Sequence, residues 1–187
     1  MAKKKLTNKI LITASNFTTV ISFLLRFLKI LSNDFQVYVA TDINKISKKE
    51  ILQLENEYNF QFIHIPIRRK INIFYDLYTL VKLIFIIRKH RFDITLSLTP
   101  KGGLLTAISS FINNIKTRIH IFNGQIWYNK KSFKRKFLKS FDLITYIFSN
   151  KILCESFSQS DFLKREGFIR KKINVISYGS LMGVDIE

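Results

Sequence analysis

The sequence predicts a doubly wound α/β domain, and three observations carry that prediction. Short apolar runs rich in β-branched residues alternate along the chain with longer segments of helical spacing, the pattern of a parallel sheet wrapped by helices. Capping and stop signals fall where those segments change over. The 187 residues, 47% of them hydrophobic, suffice for one sizeable core, and no linker or internal repeat marks a second domain. The expectation is a single domain over 1–187, with about seven strands and helices on both faces of the sheet.

The first strand is expected at 9–14, and 16–32 follows as a helix. A strand at 36–41 leads to a helix at 47–58, which opens on the capping box Ser47-Lys-Lys-Glu50. A strand at 60–65 precedes a long helix at 73–90, whose Leu77, Leu80, Val81, Ile84 and Ile87 share a face and are expected to lie on the sheet. Strands at 93–98 and 117–121 bracket a helix at 102–112. A helix at 132–148 connects to a strand at 151–154, and one at 158–166 to the last strand at 173–176. That last helix is expected to open on Ser158-Gln-Ser-Asp161, with a hydroxyl and a carboxylate at its positive end, and to stop at Gly167.

Lys+Arg 31 against Asp+Glu 13 gives a formal charge of +18, which attracts polyanions: nucleic acid, anionic lipid headgroups or a phosphorylated substrate. The total does not choose among them, so clusters matter more. A single cysteine, Cys154, excludes an intramolecular disulfide framework and a Cys-rich zinc site, and its strand-like neighbours make it a structural thiol. The basic start, Met1 to Lys5, is not followed by a signal-peptide pattern. The most apolar stretches, 20–31 and 77–87, are interrupted by Arg26, Lys29 and Lys82, short of the roughly 20 residues a spanning helix needs. The expected location is cytoplasmic, with peripheral attachment to the inner face of the membrane as the other option.

In a doubly wound sheet ligands bind beyond the carboxyl ends of the strands, so the segments that follow each strand are the candidates. Ser15-Asn-Phe-Thr-Thr19 offers hydroxyls and a helix start, without the glycines of a dinucleotide fingerprint; it reads equally as an N-cap by Ser15 or Asn16. Thr99-Pro-Lys-Gly-Gly103 is open to two readings. It is an anion or sugar loop, with Lys101 beside the bare backbone of Gly102 and Gly103, or it is a structural turn. Asn123-Gly124-Gln125, between Phe122 and Trp127, has the amides that pair with sugar hydroxyls, while Trp127 itself reads as a packing residue. His120, just before, is a base or a hydrogen-bonded core histidine. The segment 177–185, with Gly179 and Gly183 beside Ser177 and Ser180, suits an inter-domain cleft or is a terminal loop with no function. Finally, Lys130, Lys131, Lys134, Arg135, Lys136 and Lys139 are interleaved with Phe133, Phe137 and Phe141 at helical spacing. Such an element lies on an anionic bilayer or, as an ordinary helix, turns its phenylalanines to the sheet.

Taken in order, these segments resemble the N-terminal domain of glycosyltransferase family 4, particularly the bacterial enzymes that build capsule, O-antigen and related surface polysaccharides. The resemblance is carried by Ile65-Pro-Ile-Arg-Arg69 before Asp76-Leu77; by Arg91-Phe-Asp-Ile-Thr95 leading to Thr99-Pro-Lys-Gly-Gly-Leu-Leu105; by 118–127; by Glu155-Ser156 with Ser158-Gln-Ser160; and by 178–185. It implies a Rossmann-like domain forming the N-terminal, acceptor-side half of a GT-B fold. It also implies transfer from a nucleotide-sugar donor with retention of configuration, with no metal and no tightly bound cofactor. By that resemblance Ser15, Asn16, Lys101, Gly102, Gly103, Asn123, Gly124, Gln125, Ser156, Gly179 and Ser180 are the expected acceptor and cleft residues.

Acceptors of similar enzymes are often sugars on a polyprenyl diphosphate at the membrane. That gives Arg68, Arg69, Lys130, Lys131, Lys134 and Arg135 the expected task of holding an anionic headgroup. The family continues past its Gly-Val-Asp segment into a donor-binding domain, whereas Glu187 is the last residue here. The donor half is therefore expected to be absent from this chain, and transfer to need a separate donor-domain polypeptide; an inert membrane-associated remnant is the alternative. A nucleic-acid binder driven by charge is the other class of reading. Its aromatics read as core-facing and no recognition motif is present, so no specific nucleic acid is expected.

Overall fold

The β-branched runs pair side by side. The computed structural model describes residues 8–68 and 71–176. Among these, strands β1 (Lys9–Thr13), β2 (Gln36–Thr41), β3 (Gln61–His64), β4 (Ile94–Ser97), β5 (Thr117–Phe122), β6 (Lys151–Cys154) and β7 (Ile173–Val175) form one parallel sheet ordered β3-β2-β1-β4-β5-β6-β7. The helices between them are α1 (Phe17–Phe23), α2 (Leu25–Leu31), α3 (Lys48–Tyr58), α4 (Ile73–His90), α5 (Pro100–Ile112), α6 (Ser132–Phe148) and α7 (Phe157–Arg165). This is the expected Rossmann-like α/β architecture.

Side chains alternate across the pleat, which is why both faces of the sheet bury apolar residues. Ile10 and Ile12 of β1 point to one side, with Val20, Leu24 and Leu28 of the α1–α2 segment. Leu11 points to the other, with Leu83 and Ile87 of α4 and Leu105 of α5. A third cluster joins Phe122, Ile152 and Cys154 to Leu138 and Tyr146 of α6 and Leu163 of α7. The chain winds outward from β1 through β2 to β3, then α4 carries it back across the sheet to β4, from which it winds the other way. The reversal leaves a crevice at the carboxyl ends of β1 and β4, the switch point where such folds bind ligands.

Caps explain most of the helix boundaries. Ser47 Oγ accepts from Glu50 N at 3.2 Å, and Asn72 Oδ1 from Tyr75 N at 3.0 Å, each pairing a donor the first turn leaves free. At the end of α7, Gly167 takes a φ of +94°, the left-handed stop its sequence position predicts. Cys154 is buried, as expected of a structural thiol, and burial pushes its pKa up.

Four local expectations are corrected. The helix expected at 16–32 bends at the fully buried Leu24 into α1 and α2, although Leu24 N still donates to Val20 O and Leu28 N to Leu24 O. The sheet-facing residues of α4 are Thr79, Leu83 and Ile87, while Leu77 and Val81 are exposed. That helix is apolar nearly all round, so spacing alone did not fix its phase. The cap of α7 is Ser156, whose Oγ accepts from Gln159 N at 3.1 Å, so Ser158 already lies in the first turn. Finally, α5 begins at Pro100 rather than 102, because proline suits the first turn of a helix, where its missing N–H costs nothing.

Candidate functional site

At the switch point the loops after β1 and β4 are locked together. Ser15 N donates to Thr99 Oγ1 at 3.1 Å, and the two hydroxyls share a short hydrogen bond. Asn16 caps α1: its Oδ1 accepts from Thr19 N at 2.8 Å and from Thr19 Oγ1 at 2.9 Å. Next to this polar corner a cleft of about 610 Å³ opens, lined by α4, α5, α6 and the loop after β5. Its walls are largely apolar, from Ile73, Leu77 and Leu80 through Leu104 and Ile108 to Ile126 and Phe141. Ser15, Asn16, Arg68, Lys101 and Asn123 also line it, so the cleft gathers expected residues from four separate segments.

Lys101 does not stand over a glycine loop. Its Nζ lies 2.8 and 2.9 Å from the two carboxylate oxygens of Asp76, both side chains largely enclosed, which ties the start of α5 to the start of α4. Gly102 and Gly103 are buried inside the first turn of α5 and present no bare anion loop. They are glycines because of crowding: a Cβ on Gly102 would meet Thr99 Oγ1 at 2.6 Å, and one on Gly103 would meet His120 Nδ1 at 2.8 Å. Of the two readings of 99–103, the structural turn is the one the packing adopts.

His120 likewise takes the core position rather than that of a base. It is 2% exposed, its Nδ1 lies 2.9 Å from Ser97 Oγ, and its ring stands edge-on to Phe122. Burial pushes its pKa down to about 3, so the imidazole is neutral and walled off by Gly103. Trp127 is fully buried and packs on Phe168 and Phe162, as the packing reading has it. Its indole Nε1–H donates to Asp142 Oδ2 at 2.7 Å. Asp142 is 2% exposed and lines the cleft, and desolvation raises its pKa to about 6 against the opposing pull of the Trp127 bond.

Sequence reasoning passed over Asp142. The available signal was an acidic residue on the apolar stripe of its helix, in phase with Leu138, Thr145 and Tyr146.

Beyond Asn123 the cleft meets a polar groove of about 440 Å³, in which Asn123 and Gln125 face Ser156, Gln159 and Glu155. The Nε2 of Gln125 is buried there with no hydrogen-bond partner among the described residues. Desolvation raises the pKa of Glu155. Between the two amides Gly124 takes a φ of +149°, with nothing near enough to touch an added Cβ. Gly124→Ala therefore isolates a backbone cost. It is expected to destabilise the chain by about 1–2 kcal/mol, read from the urea midpoint, and to broaden the amide resonances of Asn123 and Gln125.

The basic aromatic segment divides in two. Arg135 and Lys139 are drawn inward: they hold the two oxygens of Glu166 at 2.6 and 2.7 Å, and each stands over the Trp127 ring. Lys130, Lys131, Lys134 and Lys136 remain exposed, and so do Phe133 (79%) and Phe137. Of the two readings of this segment, the one that turns all three phenylalanines to the sheet fails for these two; Phe141 is partly buried against the core. Ile71 just before α4 is exposed, as are Ile73 and Phe74 (88%) at its start. Arg68 stacks on Tyr75 with its guanidinium carbon 3.6 Å from the ring centre. No helix among the described residues is long and apolar enough to cross a membrane. Arg69, Gly179 and Ser180 lie outside the described residues.

The chain is 31% identical over 150 residues to the capsular polysaccharide biosynthesis glycosyltransferase CapM of Staphylococcus aureus. The match covers 78% of this chain and 38% of CapM, so the chain spans well under half of that relative's length. No family model matches the chain. Among solved structures it is similar to MnaA of S. aureus in its co-structure with UDP, with a TM-score of 0.64 and 12% identity over 92% of this chain and 44% of that one. It is also similar to MurG of Acinetobacter baumannii, with a TM-score of 0.57 and 11% identity over 93% of this chain and 46% of that one. A plant relative in shape is UGT2 of Phytolacca americana, at a TM-score of 0.60 and 10% identity over 95% and 55% of the two chains. At these identities the structural likenesses establish a shared fold.

Proposed function

We propose that this chain is the acceptor-side half of a family 4 glycosyltransferase of surface-polysaccharide biosynthesis, a retaining enzyme of the GT-B fold. In this reading a sugar passes from a nucleotide-sugar donor to a lipid-linked or glycan acceptor seated in the cleft at the switch point. One observation carries the proposal: a largely apolar cleft with a polar end of hydroxyls and amides, at the sheet position where this fold binds ligands, in a chain 31% identical to CapM. The apolar walls suit the first units of a lipid chain, such as a polyprenyl diphosphate, and Asn123 and Gln125 suit sugar hydroxyls. Groups that neutralise the donor diphosphate belong to a donor-binding half, which completes the site as a further segment or a separate polypeptide.

Mixing the chain with the corresponding donor-binding half of CapM tests this. Labelled sugar from a nucleotide-sugar pool is expected to enter a bacterial lipid extract only when both halves are present. Neither complex formation nor transfer in the mixture would overturn the reading.

The same proposal holds the chain at an anionic membrane surface. Phe133, Phe137 and Phe74 are exposed on the two helices, α6 and α4, that also line the cleft, with Lys130, Lys131 and Lys134 near the first two in sequence and Arg68 at the cleft, so bilayer insertion and headgroup attraction act together. The double variant Phe133→Ser/Phe137→Ser is expected to weaken sedimentation with phosphatidylglycerol vesicles at least tenfold, since partial insertion of each ring contributes about 0.7 kcal/mol or more. Equal sedimentation of the two proteins, or equal binding to phosphatidylcholine vesicles, would count against membrane docking by this face.

A further inference from the structure

Asp142 is an expensive residue for the place it occupies. A carboxylate that is 2% exposed needs a compensating charge or several hydrogen bonds, and among the described residues this one has a single donor, Trp127 Nε1, on Oδ2. The basic groups nearby are otherwise engaged. Lys101 is held by Asp76, and Arg135 and Lys139, which stand over the Trp127 ring, are held by Glu166. Arg68, at the cleft mouth, is stacked on Tyr75, and His120 on the neighbouring strand is neutral.

Anchoring Trp127 does not explain an acid. An asparagine would accept the same indole hydrogen bond without the cost of a buried charge. What a carboxylate adds is a second, strong acceptor oxygen, and Asp142 lies in the wall of the 610 Å³ cleft beside Phe141, Leu138 and Asn123. In that apolar setting a hydroxyl donor gains more from a charged acceptor than it would in water.

We propose that Asp142 is the carboxylate by which the cleft recognises a polyhydroxylated headgroup: Oδ1 accepts a hydrogen bond from a ligand hydroxyl while Oδ2 stays with Trp127. The inference rests on the reading of the cleft as the acceptor site and names the group that selects a sugar over a bare alkyl chain. The ligand class is an amphiphile with an apolar tail along α4 and α5 and at least one sugar ring at Asp142 and Asn123.

Trp127 is the only tryptophan and is bonded to the group in question, so it reports directly. The probe is octyl β-D-glucoside below its micellar concentration, titrated at pH 7.5 and followed by Trp127 emission, its indole N–H resonance and calorimetry. The wild-type chain is expected to bind it, and to bind 1-octanol more weakly. Asp142→Asn keeps an acceptor for the indole but turns an amide NH₂ toward the cleft. It is expected to bind the glucoside about tenfold more weakly with no fall in thermal midpoint. Lowering the pH from 7.5 to 5 is expected to weaken wild-type binding and leave the variant unchanged. Trp127→Phe, which removes the donor and keeps the carboxylate, is expected to retain glucoside binding within about threefold by calorimetry.

Equal affinities of wild type and Asp142→Asn would overturn the role of Asp142 while leaving the cleft as a binding site. Loss of binding in Trp127→Phe as large as in Asp142→Asn would make Asp142 a mere anchor. No binding of the glucoside by the wild type at all would remove the proposal together with the acceptor-cleft reading on which it rests.

Discussion

Gly103→Ala is expected to lower the stability of the chain by about 2 kcal/mol, read from the urea midpoint at constant m-value. The added Cβ would lie 2.8 Å from His120 Nδ1, nearer still to His120 Cε1, and 3.3 Å from Thr145 Cγ2. None of these neighbours is a loose side-chain end. His120 is fixed on β5 by Ser97 Oγ and by its edge-on contact with Phe122, and Thr145 sits on the buried face of α6 with its hydroxyl bonded to Phe141 O. Overpacking of that kind costs about 1–3 kcal/mol, and displacing the imidazole forfeits the Ser97 bond, about 1 kcal/mol more. Alanine regains only about 1 kcal/mol of helix propensity, so the clash wins. Gly103→Ala combined with His120→Ala is expected to be less damaging than the sum of the two single changes by at least 1 kcal/mol, because the second removes what the first strikes. Additive losses would show that the glycine is not there for the imidazole.

That glycine also marks the limit of what spacing could reveal. Every strand was legible, because each is a short β-branched run between turn residues, and in an all-parallel sheet buried on both faces nothing else competes for such runs. The carboxyl ends of the strands could be named as the side to search, but the pair of strands that flanks the crevice depends on a strand order that no spacing reveals. Two glycines after a strand, however, look the same whether they free the backbone for a ligand or make room for side chains, Thr99 for the first and a histidine on the next strand for the second. Only His120, 17 residues on and adjacent through β4–β5 pairing, decides between them. The phase of α4 was hidden for a different reason: with apolar residues on its core, cleft and outer sides, its pattern has no polar face to set a direction. Asp142 was hidden inside a strongly basic, amphipathic helix, where one carboxylate reads as a counter-charge until its burial is known.

The pH dependence of stability is expected to split in opposite directions when His120 and Asp142 are changed singly. Burial lowers the His120 pKa from an ordinary 6.5 to about 3. The unfolded chain therefore takes up a proton below 6.5 that the folded chain refuses, and stability falls as pH drops, by about 1.4 kcal/mol per unit. Asp142 has the reverse sign. Its pKa rises from an ordinary 3.8 to about 6, so between those values the folded chain holds a proton that the unfolded chain releases. Its contribution is full below 3.8 and is lost as pH rises through 6, about 3 kcal/mol in all. Between about pH 4 and 6 the two slopes nearly cancel, leaving the wild type flat with respect to this pair. Glu166, held low by Lys139 and Arg135, acts below the ordinary glutamate range and leaves that window largely untouched.

Asp142→Asn is then expected to unmask the histidine: relative to the wild type, in which His64, His90 and Glu155 titrate alike, its stability from urea melts at half-unit steps should fall by about 1.4 kcal/mol per unit from pH 6 to 4. His120→Asn, whose amide reaches the position of the imidazole Nδ1, should unmask the aspartate and grow more stable over the same range. At pH 7.5 the charge of Asp142 is a cost to folding, so Asp142→Asn should be at least as stable as the wild type there and lose that advantage by pH 4. Parallel pH curves for wild type and both variants would remove the buried-carboxylate premise. A variant that gains stability at neutral pH while losing glucoside binding would tie the cost of Asp142 to the cleft, since a purely structural acid has no reason to keep a charge that weakens the fold.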